Sequence, residues 1–213
     1  MAFVDTLRFV DADAAALSPV YTLAADSIGP PIVVPHRDRT VALWLEVREP
    51  VGLVVIGQAF VASEPVGEPE HITGRVRHEP DMVAVAIRDR IALLGVAVER
   101  PNLELTMIDV DDFSSGEGHN LGMATDVQDL SLAAAPEPGF VVACSAGFRG
   151  EDAFSITVAG LDGRRWGTSL RIPTRGSIAC GWNGSEVVIV WDDGGEPIRE
   201  NSVMVALARP TFL

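Results

Sequence analysis

At 213 residues the chain can build one sizeable core, and 47% hydrophobic residues with only 6% aromatics mean that Val, Leu, Ile and Ala must fill it. The formal net charge is −14, and all 16 basic residues are Arg. Nucleic acid and anionic membrane surfaces are therefore disfavoured, because both are held by basic patches that displace counterions.

The first 28 residues read as the tail of a repeat. Residues 6–13 (TLRFVDAD) and 20–26 (VYTLAAD) have the pattern of a third and a fourth strand. Acids interrupt the apolar start and no basic region precedes it, so a secretory signal is not expected. No run approaches the ~20 apolar residues of a membrane span, which leaves a cytoplasmic protein as the expectation. The Arg-, Ala-, Gly- and Val-rich composition points to a GC-rich bacterial source.

From residue 29 onward, a unit of about 50 residues recurs with its strand order kept. The units are expected at 29–75, 76–127, 128–175 and 176–213, the last joined by residues 1–28, all in one domain. Each opens with a strand and a tight turn, at 32–39 (IVVPHRDR), 83–90 (VAVAIRDR), 130–139 (LSLAAAPEPG) and 178–185 (IACGWNGS). A second strand follows as TVALWLEV, IALLGVAV, FVVACSAG or EVVIVWDD. The third is GLVVIGQAF, LELTMIDVDD, FSITVAGLDG or SVMVALARP. Three units add a weaker fourth strand, HITGRVR, NLGMATD or SLRIP. Short runs of Val, Ile and Leu between Gly, Pro, Asn and Asp are what strands and turns require. The chain is therefore all-β, and four antiparallel strands at this spacing indicate a β-propeller blade. A ring of four blades is expected, its last blade made by both termini, which hides strand edges. The runner-up is five blades.

The stretch NGSEVVIVWDDGG at 183–195, followed by NSVMVALA, resembles the repeats of uncharacterised bacterial β-propeller proteins. That resemblance implies a fold and no activity. The residues depart from the better-known repeats: Trp191-Asp192 ends a second strand instead of a third, so the WD-repeat pattern fails. Gly163 and Trp166 fit an Asp-box, but Ala159 and Leu161 stand where Ser and Asp belong. The glycine pairs of kelch repeats are missing.

Loops from second to third strands share the face on which propellers most often bind ligands. Arg48, Arg100 and Arg149 stand just after second strands, and Arg199 lies in the fourth, longer loop. A ring of guanidinium groups there could grip carboxylates or phosphates through paired hydrogen bonds. Each Arg also has acids within a few residues, Glu49, Glu99, Glu151, Asp152 and Glu200, with which it could simply pair. Arg37 to Arg39 and Arg88 to Arg90 read as solvated turns at the opposite end.

Asp109, Asp111 and Asp112 form a cluster, but Phe113 and Ser114 follow where a calcium loop needs glycine and further oxygen ligands. The four histidines, His36, His71, His78 and His119, lack zinc-ligand spacing. No metal and no cofactor are expected. Cys144 and Cys180 read as two buried small hydrophobes. Ser145 and Ser177 lack a nucleophile elbow, and glycine-rich phosphate loops do not occur. Paired carboxylates on separate blades stay open, since propeller hydrolases assemble them that way.

The reading these observations favour is a non-catalytic interaction module for a protein partner, an accessory or regulatory subunit that is a monomer or small homo-oligomer. Loops at 62–70 and 192–201 would serve recognition. The alternative is a carbohydrate- or small-ligand-binding propeller, lectin or glycoside hydrolase, using the central opening, where Trp44, Trp166, Trp182 and Trp191 could stack on sugars.

Overall fold

A computed structural model describes residues 6–7, 21–22, 27–75, 82–97, 102–116, 118–123, 127–137, 139–147, 153–160, 165–170, 177–192 and 203–209. Every regular element among them is a β-strand. Two short strands, β1 (Thr6–Leu7) and β2 (Tyr21–Thr22), pair antiparallel as a sheet of their own. The first large sheet follows as β3 (Ser27–His36), β4 (Arg39–Arg48), β5 (Gly52–Val61) and β6 (Glu64–Arg75). The second holds β7 (Val83–Ile87), β8 (Arg90–Val96), β9 (Asn102–Asp109) and β10 (His119–Met123). The third holds β11 (Val127–Ala135), β12 (Phe140–Gly147), β13 (Ala153–Gly160) and β14 (Arg165–Leu170). The fourth has β15 (Ile178–Trp182), β16 (Val187–Asp192) and β17 (Val203–Ala208). Within each sheet the strands pair in chain order, each antiparallel to the next.

Alternation along the strands explains how the sheets stack. On β8, Ile91 and Leu93 enter an apolar cluster with Val41, Leu43 and Val55 of the first sheet. Their neighbours Ala92, Leu94 and Val96 point the other way, onto Val141 and Ala143 of the third. Both faces are buried, so IALLGV reads as a continuous apolar run. Phe140, Val142 and Cys144 then meet Ile178, Ile189 and Trp191 of the fourth sheet. The first strands of successive units, β3, β7, β11 and β15, lie side by side in that order. Face-to-face packing of four-stranded antiparallel sheets, each on its neighbours, is a propeller-like fold.

The structure corrects one loop. Residues 62–70 read as a long connection, yet Ala62 and Ser63 alone make the turn, with φ of 48° and 69°. Val61 pairs with Glu64, and β6 runs on through Pro and Gly with breaks in register. Positive φ at both central residues is the hairpin geometry usually signalled by Asn-Gly, so Ala-Ser gave no turn signal. Pro is tolerated because β6 is an edge strand.

Candidate functional site

Consecutive hairpins lie at opposite ends of each sheet, so the residues that could act fall into two rims and the seams between sheets. On the rim expected to bind, Arg48 is the last residue of β4, before a cis Glu49–Pro50 bond. Arg100, Arg149 and Arg199 lie outside the described residues. Trp44, Glu46 and Arg48 alternate along β4 and share the face turned away from the second sheet. The Trp44 indole N–H donates to Glu46 Oε1 at 2.8 Å. Arg48 places Nε and Nη2 each 3.0 Å from Oε2. Glu46 is buried, whereas the Arg48 side chain is 48% exposed. Its partner is thus two residues back in the strand and not the adjacent Glu49.

The opposite rim is internally linked. His36 Nε2 donates to Arg88 O at 2.9 Å, joining the first sheet to the second. Arg88 Nε in turn donates to Pro136 O at 3.0 Å in the third unit, with Glu137 at 3.7 Å. Gly139, at φ +98°, lies under that guanidinium, so a side chain there would displace it. Arg88 is therefore a bridge between units and not the solvated turn residue its sequence suggests. Arg39 likewise reaches Asp111 at 3.1 Å.

The aspartate cluster closes its own turn. Asp109 Oδ1 accepts the Asp111 N–H, and Asp112 Oδ1 accepts that of Ser114. Hydrogen bonds from the Ser114 side chain and backbone hold Asp112 below the usual carboxylate range. Among the described residues no cluster of His, Cys, Asp and Glu is arranged to hold a metal. His36 is buried and His71 exposed, while His78 lies outside the described residues. Trp44 and Trp191 are buried, and Trp182 packs edge-on against Phe140 with ring centroids 5.0 Å apart. The Trp166 side chain and Ser177's neighbours before residue 177 lie outside what is described.

Sequence reading missed the residues that join the third and fourth sheets. Asp129 Oδ2 accepts the Ile178 N–H at 2.7 Å, and Ser131 Oγ accepts that of Cys180 at 2.9 Å. These donors lie on the edge of β15 that β16 does not use, where an unpaired buried N–H would cost about 1–3 kcal/mol. The available signal was Asp129 and Ser131, polar residues at alternate positions on one face of β11.

Among the solved structures to which the chain is similar are two propeller-type enzymes. An acylaminoacyl peptidase from Pyrococcus horikoshii superposes with a TM-score of 0.50 and 8% identity, over 84% of this chain and 32% of that one. A xylan β-1,4-xylosidase from Bacillus halodurans gives 0.48 and 13%, over 89% and 45%. The chain spans about a third of the first protein and under half of the second, and at these identities the likeness is one of fold. No protein-family model and no curated protein matches the chain, so nothing ties it to the uncharacterised bacterial repeat proteins beyond a propeller-like fold. No helix among the described residues is long and apolar enough to cross a membrane.

Proposed function

We propose that this chain is a propeller-type binding module that presents its β4–β5 rim to a protein partner. The observation that supports this is how Arg48 is presented. Turn residues at one end are spent on links between units, whereas Arg48 at the other is fixed by a buried carboxylate and half exposed. In this reading Arg100, Arg149 and Arg199 stand on the equivalent loops, and 1–213 is one domain. Four units form the ring. The β1–β2 pair stands as a sheet of its own among the described residues; in this reading it joins the three-stranded last sheet in a closing blade, with one strand to spare. A five-bladed ring is the other arrangement. Deleting residues 1–26 should lower the melting temperature, and an unchanged value would refute closure by the termini.

The second reading is a carbohydrate- or small-ligand-binding propeller. The fold shared with a propeller-type peptidase is compatible with it. One experiment separates the two: retention of a protein partner on tagged protein, with light scattering for the oligomeric state. Stoichiometric capture by the wild type, lost in an Arg100→Ala, Arg149→Ala variant that melts normally, supports the partner reading. A monomer that retains no partner but binds xylo-oligosaccharides or small carboxylates in calorimetry overturns it in favour of the second.

A further inference from the structure

The seam between the third and fourth sheets brings both cysteines together. Cys144 on β12 is buried and Cys180 on β15 is partly exposed, and both are free thiols. Ser131 lies between them: it is the register partner of Cys144, and its Oγ sits 3.5 Å from the Cys180 sulfur while accepting the Cys180 N–H. The same sulfur lies 3.4 Å from Val142 O, two residues before Cys144 and on the same face of β12. Both side chains belong to one apolar cluster across the seam, and their nearness sets them apart in acidity. Cys180 is held below the ordinary thiol range by Cys144 and by Ser131, against the effect of burial. Cys144 is pushed up by the neighbouring Cys180 side chain, by burial and by the charge on Cys180. Asp129, the acid on this seam, is occupied by the Ile178 and Leu130 N–H groups.

We propose that Cys180 and Cys144 are a redox pair in which Cys180 is the entry thiol and Cys144 the resolving thiol, closing a disulfide that clasps the last two units. The oxidant is a low-molecular-weight disulfide. The Cys180 thiolate attacks one of its sulfurs, forming a mixed disulfide and expelling a small thiolate. Cys144 then gives its proton to solvent and attacks the Cys180 sulfur, expelling the second small thiolate. Two protein thiols are oxidised and one small disulfide is reduced to two thiols, so atoms and electrons balance. A partly exposed thiol of lowered pKa beside a buried partner is the arrangement that thiol–disulfide exchange uses.

The test treats the folded protein with oxidised glutathione and follows mass, free thiols and melting temperature. The wild type should lose both thiols and the mass of two hydrogens, with the peptides of Cys144 and Cys180 joined. Its melting temperature should rise by roughly 5–10 °C, because the bond constrains the unfolded chain. Cys144→Ala, verified as folded by circular dichroism, should stop at the glutathione adduct on Cys180. Ser131→Ala should shift the pH midpoint of Cys180 alkylation upward, a change that loss of packing alone would not give. Two unmodified thiols in the folded wild type would overturn the proposal. So would a disulfide that joins two chains, or a Cys144→Ala protein whose Cys180 stays unmodified.

Discussion

Glu46 shows how one residue can tie a core to a rim. Its carboxylate lies among buried side chains and is satisfied on both oxygens, by the Trp44 indole and the Arg48 guanidinium. A buried acid is tolerated only when it is paired and hydrogen-bonded. Glu46→Ala should therefore cost about 1–3 kcal/mol in a urea denaturation series, since it leaves an indole N–H and half a guanidinium without their acceptor. A cost under ~0.5 kcal/mol, the size of an ordinary surface change, would show that the trio is incidental. The sequence offered Glu49 as the partner of Arg48 because it is adjacent. Adjacent residues on a strand point to opposite faces, and the residue two back shares one. That much was legible in the letters once β4 was drawn as a strand.

At the scale of the element, Gly57 decides how β5 meets its neighbours. A Cβ at this position would press on Ile72 Cδ1 and lie 3.0 Å from the Phe113 ring, which packs onto the first sheet from the turn after β9. The Ile72 methyl can swing away, but the Phe113 ring is a buried member of the cluster. Gly57→Val should thus destabilise the fold by about 1–3 kcal/mol, a downward shift in melting temperature that calorimetry would register. A wild-type melting temperature would mean that the seam between the first two sheets is loosely filled. Strand propensity alone favours valine here, so the sign of the effect tests packing against propensity. The β6 strand teaches the converse. Its Pro- and Gly-rich letters read as loop, and only pairing with β5 makes it a strand.

For the molecule as a whole, a net charge of −14 on one chain places many acids on a common surface. Self-repulsion of this kind destabilises a compact state and is relieved by screening. Raising ionic strength from about 0.01 M to about 0.15 M shortens the Debye length from ~30 Å to ~8 Å, and the melting temperature should rise. A fall would mean that the exposed pairs, such as Arg39 with Asp111, outweigh the repulsion. One row of β17, the outer strand of the last sheet, is exposed: Val203, Val205 and Leu207 are 59–70% accessible.

Much of this architecture was written locally. Alternating Val, Ile and Leu set the strands, polar turns set most of their ends, and a repeat of about 50 residues set the units. These are properties of neighbouring letters, and so the sequence by itself determined an all-β chain of stacked sheets. It also implied that contacts should join residues one repeat apart. His36 with Arg88, Arg88 with Pro136, Asp129 with Ile178 and Ser131 with Cys180 are all separated by 48 to 52 residues. Which residues meet was decided by the tertiary structure, because that depends on the face each side chain takes and on the stagger of one sheet against the next. Arg88 became a bridge, and two cysteines that read as unrelated hydrophobes became partners, only when the seams closed.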